Sequence, residues 1–529
     1  MKRFLFIPLI MLLSVSIAAQ VHIKADDPAT WSAQELSQYI GQTVVFDNPI
    51  VVCSNAGSDL TVGPWRAFQP ESHGYTNTED YKSTVRINGS CIFRLSGIDE
   101  YHRCGEKIYN LTATVNSALS LTYISGEWKG NTRAEMEAGI PDLGDYRLLV
   151  CGFNLENYFS TLGQMGARSA ADKEKQRTKI SKALKCIDAD IFGLVELQQG
   201  NDAVQEIVND LNTNLPGRNY QFFSDQEIGT SQKVEFVYDA NKVEPIGVPG
   251  KIDTELKYRK KMVCFREIAT GERFIYSINH FKAMNTGDET RRVNEAKAVL
   301  DYYNSYRMRK NVRDNDLLLM GDLNCYAFTA PIKIFTNAGL TDLHRAFHAD
   351  SSYSYMYSGL ASYIDHAICT SSLYRQVTGM AAYHINSDEN DRYTYDKSND
   401  LTMFRCSDHD PVLVGLKLDS TISGTPYFNG SNYGTDSLTF CYSYIKGEED
   451  VNPLVYFDIY TMYGYRICEP TPIKFNQLNI ENHVKYYTLS DDNPDLPEEI
   501  KNFLPLPSGV YVIHIYYNNA VYNLKLIIK

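Results

Sequence analysis

Behind an apolar run at 4–17, the chain breaks into short apolar or alternating stretches separated by clusters of Gly, Asn and Ser. Runs of this length with turn residues between them predict strands rather than helices. They fall at 43–46, 50–53, 85–87, 91–95, 108–115 and 119–124. Residues 21–140 therefore read as a β-rich N-terminal domain, a small barrel or sandwich. One short helix is expected at 31–40, opened by Thr30 as N-cap. The stretch 135–145, with its Glu, Ala, Gly, Pro and Asp, reads as a linker.

From 146 to 419 the pattern changes. Strand-like runs at 146–151, 190–196, 316–321 and 363–369 alternate with runs of helical period. A helix at 175–188 puts Ile180, Ala183, Leu184 and Ile187 on one face, and 289–309 reads as a second long helix. Residues 262–278 read as a hairpin turning at Thr270-Gly271. A hairpin is incompatible with a purely parallel sheet, so the pattern predicts an α/β domain with mixed sheets. After a Ser/Thr/Gly/Pro linker at 420–426, strand-like runs return at 456–460, 510–516 and 521–528.

Composition sharpens this picture in four places. A chain of 529 residues with 43% hydrophobic and 22% charged positions is globular, with room for roughly three or four domains. A net charge of −13 excludes binding to nucleic acid by bulk positive charge, though not a local basic groove. Lys2 and Arg3, the apolar run and Ala18-Ala19-Gln20 have the three-part plan of a secretory signal peptide at 1–20. No later stretch approaches the ~20 apolar residues that cross a bilayer, so a secreted or surface-held protein without stable membrane insertion is expected. Eleven cysteines follow the leader, so at least one stays unpaired within the chain. Cys151, Cys264 and Cys369 lie in apolar runs and read as buried thiols. Cys53, Cys91 and Cys104 leave room for one bridge of open connectivity, and the absence of CxxC argues against structural zinc.

The chemistry gathers at the strand ends of the middle segment. Asn154 follows the first strand, Glu196 ends the second, and Asn279-His280-Phe281-Lys282 ends the hairpin. Gly321-Asp322-Leu323-Asn324 ends a further strand, Tyr363-Ile364-Asp365-His366 opens another, and Ser407-Asp408-His409-Asp410-Pro411 precedes the last. Strand ends let a sheet converge short polar side chains on one point. Carboxylates, imidazoles and asparagines without a G-x-S-x-G nucleophile suit a hard divalent ion beside phosphate. Singly, each has a plainer reading: a solvated glutamate, an Asx-turn, a loop charge cluster, a half-buried histidine.

In their order these motifs resemble the endonuclease/exonuclease/phosphatase superfamily, which includes pancreatic deoxyribonuclease, abasic-site endonuclease, neutral sphingomyelinase and inositol polyphosphate phosphatases. The resemblance rests on Phe153-Asn154-Leu155-Glu156-Asn157, Val195-Glu196-Leu197-Gln198 and the four motifs from Asn279 onward, with GDLN and SDHDP the most specific. It implies a four-layered α/β sandwich of two mixed β-sheets at 146–419, deoxyribonuclease-like, flanked by β-rich domains at 21–140 and 427–529. It implies that Glu196 holds Mg²⁺, with Mn²⁺ or Ca²⁺ as alternatives, that Asn154 contacts the metal site or the phosphate, and that Asp408 completes the metal environment. By the same resemblance Asp322 deprotonates the attacking water and Asn324 positions it. His409, oriented by Asp365, then stabilises the phosphate, and His280 adds a second phosphate contact or acts as general acid.

Within the superfamily the chain is similar to secreted bacterial nucleases, through Asn157-Tyr158-Phe159, the Asn-His-Phe-Lys motif, the helix start with Arg291 and Arg292, and the aromatic loop Tyr353 to Gly359. This implies DNA, and by extension RNA, as substrate, with Arg291, Tyr355 and Lys282 contacting it, and an OB-like N-terminal barrel. Two basic clusters suit a phosphate backbone or a solvated face: Arg168, Lys173, Lys175, Arg177, Lys179, Lys182 and Lys185, and Lys257, Arg259, Lys260 and Lys261. Tyr353, Tyr355 and Tyr357 suit base stacking or one strand face. Cys325, directly after GDLN, is an unusual neighbour and reads as a buried thiol. The C-terminal segment resembles a type IX secretion sorting domain, in Asp458-Ile459-Tyr460, Tyr463-Gly464-Tyr465-Arg466 and Leu506 to Tyr511, which implies that machinery as a partner. The rival expectations are a phosphodiesterase or phosphatase acting on a lipid or inositol headgroup, and an adhesin on an inactive nuclease fold.

Overall fold

The computed structural model describes residues 20–419 apart from 27–30, 55–58, 70–91, 99, 226–228, 230, 253–256, 285–287, 308, 310, 313, 349–350 and 358; beyond 419 it describes chiefly the strands. The leader at 1–19, the expected strand 85–87, Thr30 and Cys91 lie outside the described residues.

Five N-terminal strands close into a ring: Ile50–Ser54, Leu60–Gly63, Phe93–Ser96, Ser120–Lys129, Lys107–Ser117 and back to Ile50–Ser54. The unit is thus a barrel and not a sandwich, and closure removes the exposed edges of the ring. Alternate apolar residues such as Val52, Val62, Phe93, Leu95, Ile108 and Leu121 share one core with Trp31 and Phe46. The expected helix is a 3₁₀ helix, Ala33–Tyr39, capped by the Ser32 side chain on Gln34 N. Its buried residues Ala33 and Leu36 are three apart, the spacing that a three-residue turn aligns. Cys53 and Cys104 are free and buried, so neither forms a bridge.

The stretch read as a linker is packed. Thr132 and Glu135 form a capping box on the helix Arg133–Glu137, and Leu143 lies in the core of the central domain.

The central domain has two six-stranded mixed sheets. The first runs Tyr220–Phe222, Gln232–Asp239, Ile191–Gln198, Leu148–Tyr158, Val412–Leu416, Val377–Ala382. The second runs Val243–Lys251, Lys260–Glu267, Arg273–His280, Leu317–Asp322, Asp365–Cys369, Thr341–Asp342. Leu148–Tyr158 with Ile191–Gln198, and Arg273–His280 with Leu317–Asp322, pair in parallel; the other pairs are antiparallel. The sheets pack face to face through Val150, Val195, Phe236, Phe265, Tyr276 and Met320. Helices Ala170–Ile187 and Asp202–Asn214 cover the first sheet, and Glu289–Tyr306 and Ala330–Asn337 the second. This is the expected four-layered α/β sandwich. At Gly193 an added Cβ would overlap the Tyr276 hydroxyl of the facing sheet, so glycine sets the spacing there. The described C-terminal strands form two four-stranded sheets.

Candidate active site

Strand direction gathers the chemistry at one edge of the sandwich. His280 and Asp322 end parallel neighbours and are paired with each other. Asp365 begins an antiparallel strand opposite Asp322, so its first residue meets the others' last. On the first sheet, Asn154 is paired with Val195, next to Glu196. The ladder is irregular between Asn154 and Tyr158, and Glu156, Asn157 and Glu196 all have positive φ, at 51°, 56° and 63°. L-residues rarely take this backbone, and such irregularities re-aim side chains at strand ends.

Two triads result. Glu196, His280 and Asp322 present ligand atoms within 4.8 Å of one another, as do Asp322, Asp365 and His409. His280 Nε2 lies 3.6 Å from Glu196 Oε1 and 3.7 Å from Asp322 Oδ2. His409 Nε2 lies 3.9 Å from Asp322 Oδ2 and 3.9 Å from Asp408 Oδ1. Its Nδ1 donates to Asp365 Oδ2 at 2.8 Å, and the buried Ser354 hydroxyl donates to that same oxygen at 2.7 Å. Asn154 Nδ2 donates to Asp322 Oδ2 at 3.1 Å, while its Oδ1 accepts from Glu156 N. Asn324 N donates to Asp322 Oδ1 at 2.9 Å, and its Nδ2 donates to Phe281 O. Asn157 N donates to Glu196 Oε2 at 3.0 Å.

Burial and crowding set the charges. Burial pushes the Asp322 carboxyl up to about 7 against the pull of His409, with Asp365 and Glu196 adding to the rise. Burial and then Asp408 push Glu156 up to about 8, and the same two causes raise Glu196. Burial lowers the His409 imidazole, but Asp365, Asp408 and Asp322 outweigh it and hold the ring protonated well above the ordinary histidine range. Burial, with Arg259, holds His280 neutral. One rim of the site therefore carries an imidazolium, and the centre is rich in carboxylates that need a cation to ionise together.

The site fits a hard divalent cation. The donors are carboxylates and an imidazole, without thiolate. One buried polar atom of a side chain facing Asp408, Glu196 and His409, Glu156 Oε2, has no hydrogen-bond partner in the protein. Such an atom is costly unless something satisfies it.

The other expected residues fall as follows. Asp408 is half-buried beside His409. The Tyr355 ring lies 4.8 Å from the His409 ring, and the two residues form a β-bridge. Arg291 is half-buried and opposes the charges of Arg259 and Lys260, on the site's flank. Lys282 donates its backbone N to Glu295 Oε2, and no contact of its ammonium group with the triads is found among the described residues. Cys325 is buried, and burial pushes its thiol well up, as expected of an inert thiol.

The members of the two basic clusters divide between roles. Lys173 pairs with Glu206, Arg177 with Asp210, and Lys179 and Lys182 donate to the carbonyls of Asp400 and Leu401. These four cations fasten neighbouring elements, whereas Arg168 and Lys185 of the same cluster are exposed. In the second cluster, Lys260 pairs with Glu295 and Lys261 with Glu235, both buried. Arg259 is the member whose charge faces Glu196, Glu295 and Asp322. Tyr353, Tyr355 and Tyr357 also separate. Tyr353 is buried and precedes the strand Tyr355–Tyr357, on which Tyr357 is 59% exposed.

Sequence reasoning gave no role to Glu156 or Ser354 and named Arg259 only as one of four basic residues. Glu156 lies two positions after Asn154, and the shared strand face was a usable signal. Arg259 was hidden among neighbouring lysines. Ser354 carried no signal, since its role exists only once the loop reaches Asp365.

Residues 151–409 match the model of the Endonuclease/Exonuclease/phosphatase family, inside the segment 146–419 on which the motif resemblance rested. No curated protein matches the chain. Among similar solved structures are the catalytic domain of human Nocturnin with bound sulfate (14% identity, 51% of this chain and 94% of that one, TM-score 0.37), a mannosyl-6-phosphatase from Bacteroides thetaiotaomicron (21%, 51% and 100%, TM-score 0.37) and truncated Caenorhabditis elegans TDP2 (13%, 52% and 99%, TM-score 0.37).

Proposed function

We infer that this chain, matched over residues 151–409 by the endonuclease/exonuclease/phosphatase family, is a divalent-metal-dependent phosphodiesterase, and that its substrate is DNA. The observation that carries the reading is the convergence of Glu196, His280, Asp322, Asp365 and His409 at one strand edge. Glu196, with Asp322, His280 and the neighbouring Glu156 and Asp408, would hold the cation. A bound Mg²⁺ or Mn²⁺ supplies Lewis-acid stabilisation of phosphate oxygens.

The chain's own groups divide the remaining work. Asp322, held by Asn154 and the Asn324 amide, orients the attacking water and accepts its proton. His409 donates from Nε2 to the phosphoryl oxygens, its Nδ1 proton held by Asp365. Arg259 and Arg291 draw a polyanion toward an otherwise acidic protein. Tyr355 beside His409 and the exposed Tyr357 give a base or sugar an aromatic surface next to the scissile phosphate. Among the described residues no group beside the triads is placed to read base edges, so weak sequence preference is expected. The N-terminal leader pattern and the C-terminal sorting resemblance support export by a type IX secretion machinery.

Digestion of supercoiled plasmid with and without EDTA tests this reading, with bis-p-nitrophenyl phosphate and p-nitrophenyl phosphate alongside. Chelator-sensitive loss of supercoiled circles is expected, with Asp322→Ala and His409→Ala falling by about 10²–10⁴-fold. Full activity in either variant refutes the site. Cleavage of the monoester alone replaces the nuclease reading with a phosphatase.

A further inference from the structure

The N-terminal barrel reaches the site through backbone as well as side chains. Gln69 N donates to Ala361 O at 2.9 Å, and Ala361 N donates to Ala67 O at 2.8 Å. Ala361 lies in Leu360–Ser362, which pairs with Tyr355–Tyr357, and Tyr355 bridges to His409. A ladder of main-chain pairs thus runs from the barrel to the imidazole loop. Ser354 is clamped within it: its N donates to Ser362 O at 2.9 Å and its O accepts from Asp410 N at 2.8 Å.

Side chains run beside the ladder. Arg66 Nη1 lies 2.8 Å from Asp388 Oδ1, with 13% and 0% of the two side chains exposed. The Arg66 guanidinium also sits 4.3 Å from the centre of the Tyr353 ring. Tyr353 donates its hydroxyl to Asp388 Oδ2 at 2.9 Å and stacks on His384 at 3.8 Å. His384 Nδ1 donates in turn to Asp410 Oδ2 at 2.8 Å. The residue after Tyr353 is Ser354, whose hydroxyl holds Asp365.

We propose that the N-terminal barrel is a positioning element for His409, acting from Arg66 through Asp388 and Tyr353 to Ser354 and Asp365. This rests on the reading of His409 and Asp365 as the catalytic pair. A domain that merely delivered substrate has no need of a desolvated ion pair at its junction, because removing one partner strands the other charge. Partners behind a working side chain fix its tautomer and aim, and small misplacements are costly in turnover. Arg66 and Tyr353 are positioning residues: neither touches the triads.

The test uses the full chain with Arg66→Ala, Arg66→Lys and Tyr353→Phe. Two readouts are taken: bis-p-nitrophenyl phosphate turnover, and the Nδ1 proton resonance of His409 in histidine-labelled protein, assigned by its loss in His409→Ala. Expected are a fall in kcat of about tenfold with KM within about twofold, partial recovery in Arg66→Lys, and a displaced or exchange-broadened His409 resonance. An unmoved resonance in folded Arg66→Ala overturns the proposal whatever kcat does, and so does a moved resonance with wild-type kcat. Should Arg66→Ala fail to fold, Tyr353→Phe, which removes one hydroxyl, decides by the same criteria. If the unmutated protein hydrolyses nothing, the catalytic reading falls and the resonance alone decides whether the barrel positions His409.

Discussion

Asp322 is the group on which the charge balance of the site turns. It receives bonds from Asn154 and from the Asn324 amide, yet burial still lifts its carboxyl to about 7. A carboxyl raised on folding takes up a proton between its unfolded value near 3.8 and its folded one. It therefore weakens the fold progressively as pH rises across that window, and Glu156, raised to about 8, acts in the same sense. His409 has the same sign, since its stabilising charge is lost as pH rises through its elevated value; His280, held neutral, opposes them in acid. A divalent cation would bind the ionised carboxylates, so the gain in thermal midpoint on adding MgCl₂ should be larger at about pH 8 than at about pH 5. A gain independent of pH would contradict this. Asp365→Asn keeps the shape of its side chain but removes the charge opposite His409. It should lower kcat by about 10²–10⁴-fold while calorimetric Mn²⁺ binding survives; loss of Mn²⁺ binding would move Asp365 into the metal set.

At the scale of elements, the strand ends do the aiming. Gly321 has φ +123°, and a Cβ there would overlap the Asn279 carbonyl of the neighbouring strand. Gly321→Ala should destabilise the fold by about 1–3 kcal/mol in urea titration and displace Asp322. Unchanged stability would mean that the kink is not required. Elements with a strong period were legible: the hairpin Lys260–Glu267 with Arg273–His280, and the helix Ala170–Ile187 with Ile180, Ala183, Leu184 and Ile187 buried. The helix Asp202–Asn214 and the edge strands Val243–Lys251 and Val377–Ala382 were not anticipated. Val243–Lys251 carries Pro245, Gly247, Pro249 and Gly250 and has little apolar alternation. Proline lacks the amide that a central ladder requires, so a strand of this composition fits a sheet only at its edge.

For the whole molecule, the packing of the layers fixes where the carboxylates meet. The two sheets face each other across a packed core, and the carboxylates stand at its rim, where their repulsion is borne by the fold. A cation should therefore stabilise the native state by about 2.7 kcal/mol at a hundredfold excess over its Kd, read as a rise in the chemical-denaturation free energy. No rise would leave the triads without an ion. The mixed α/β class, the order of the six motifs and the acidic and imidazole chemistry were legible before any fold was known, because local period and residue type are written along the chain. It took the folded molecule to show that the lysines of the first helix fasten neighbours, that Glu156 and Arg259 turn to the site, and that Arg66 lies against Tyr353. Those facts depend on which distant side chains share a desolvated space, and separations of up to 322 residues, as between Arg66 and Asp388, leave no local trace.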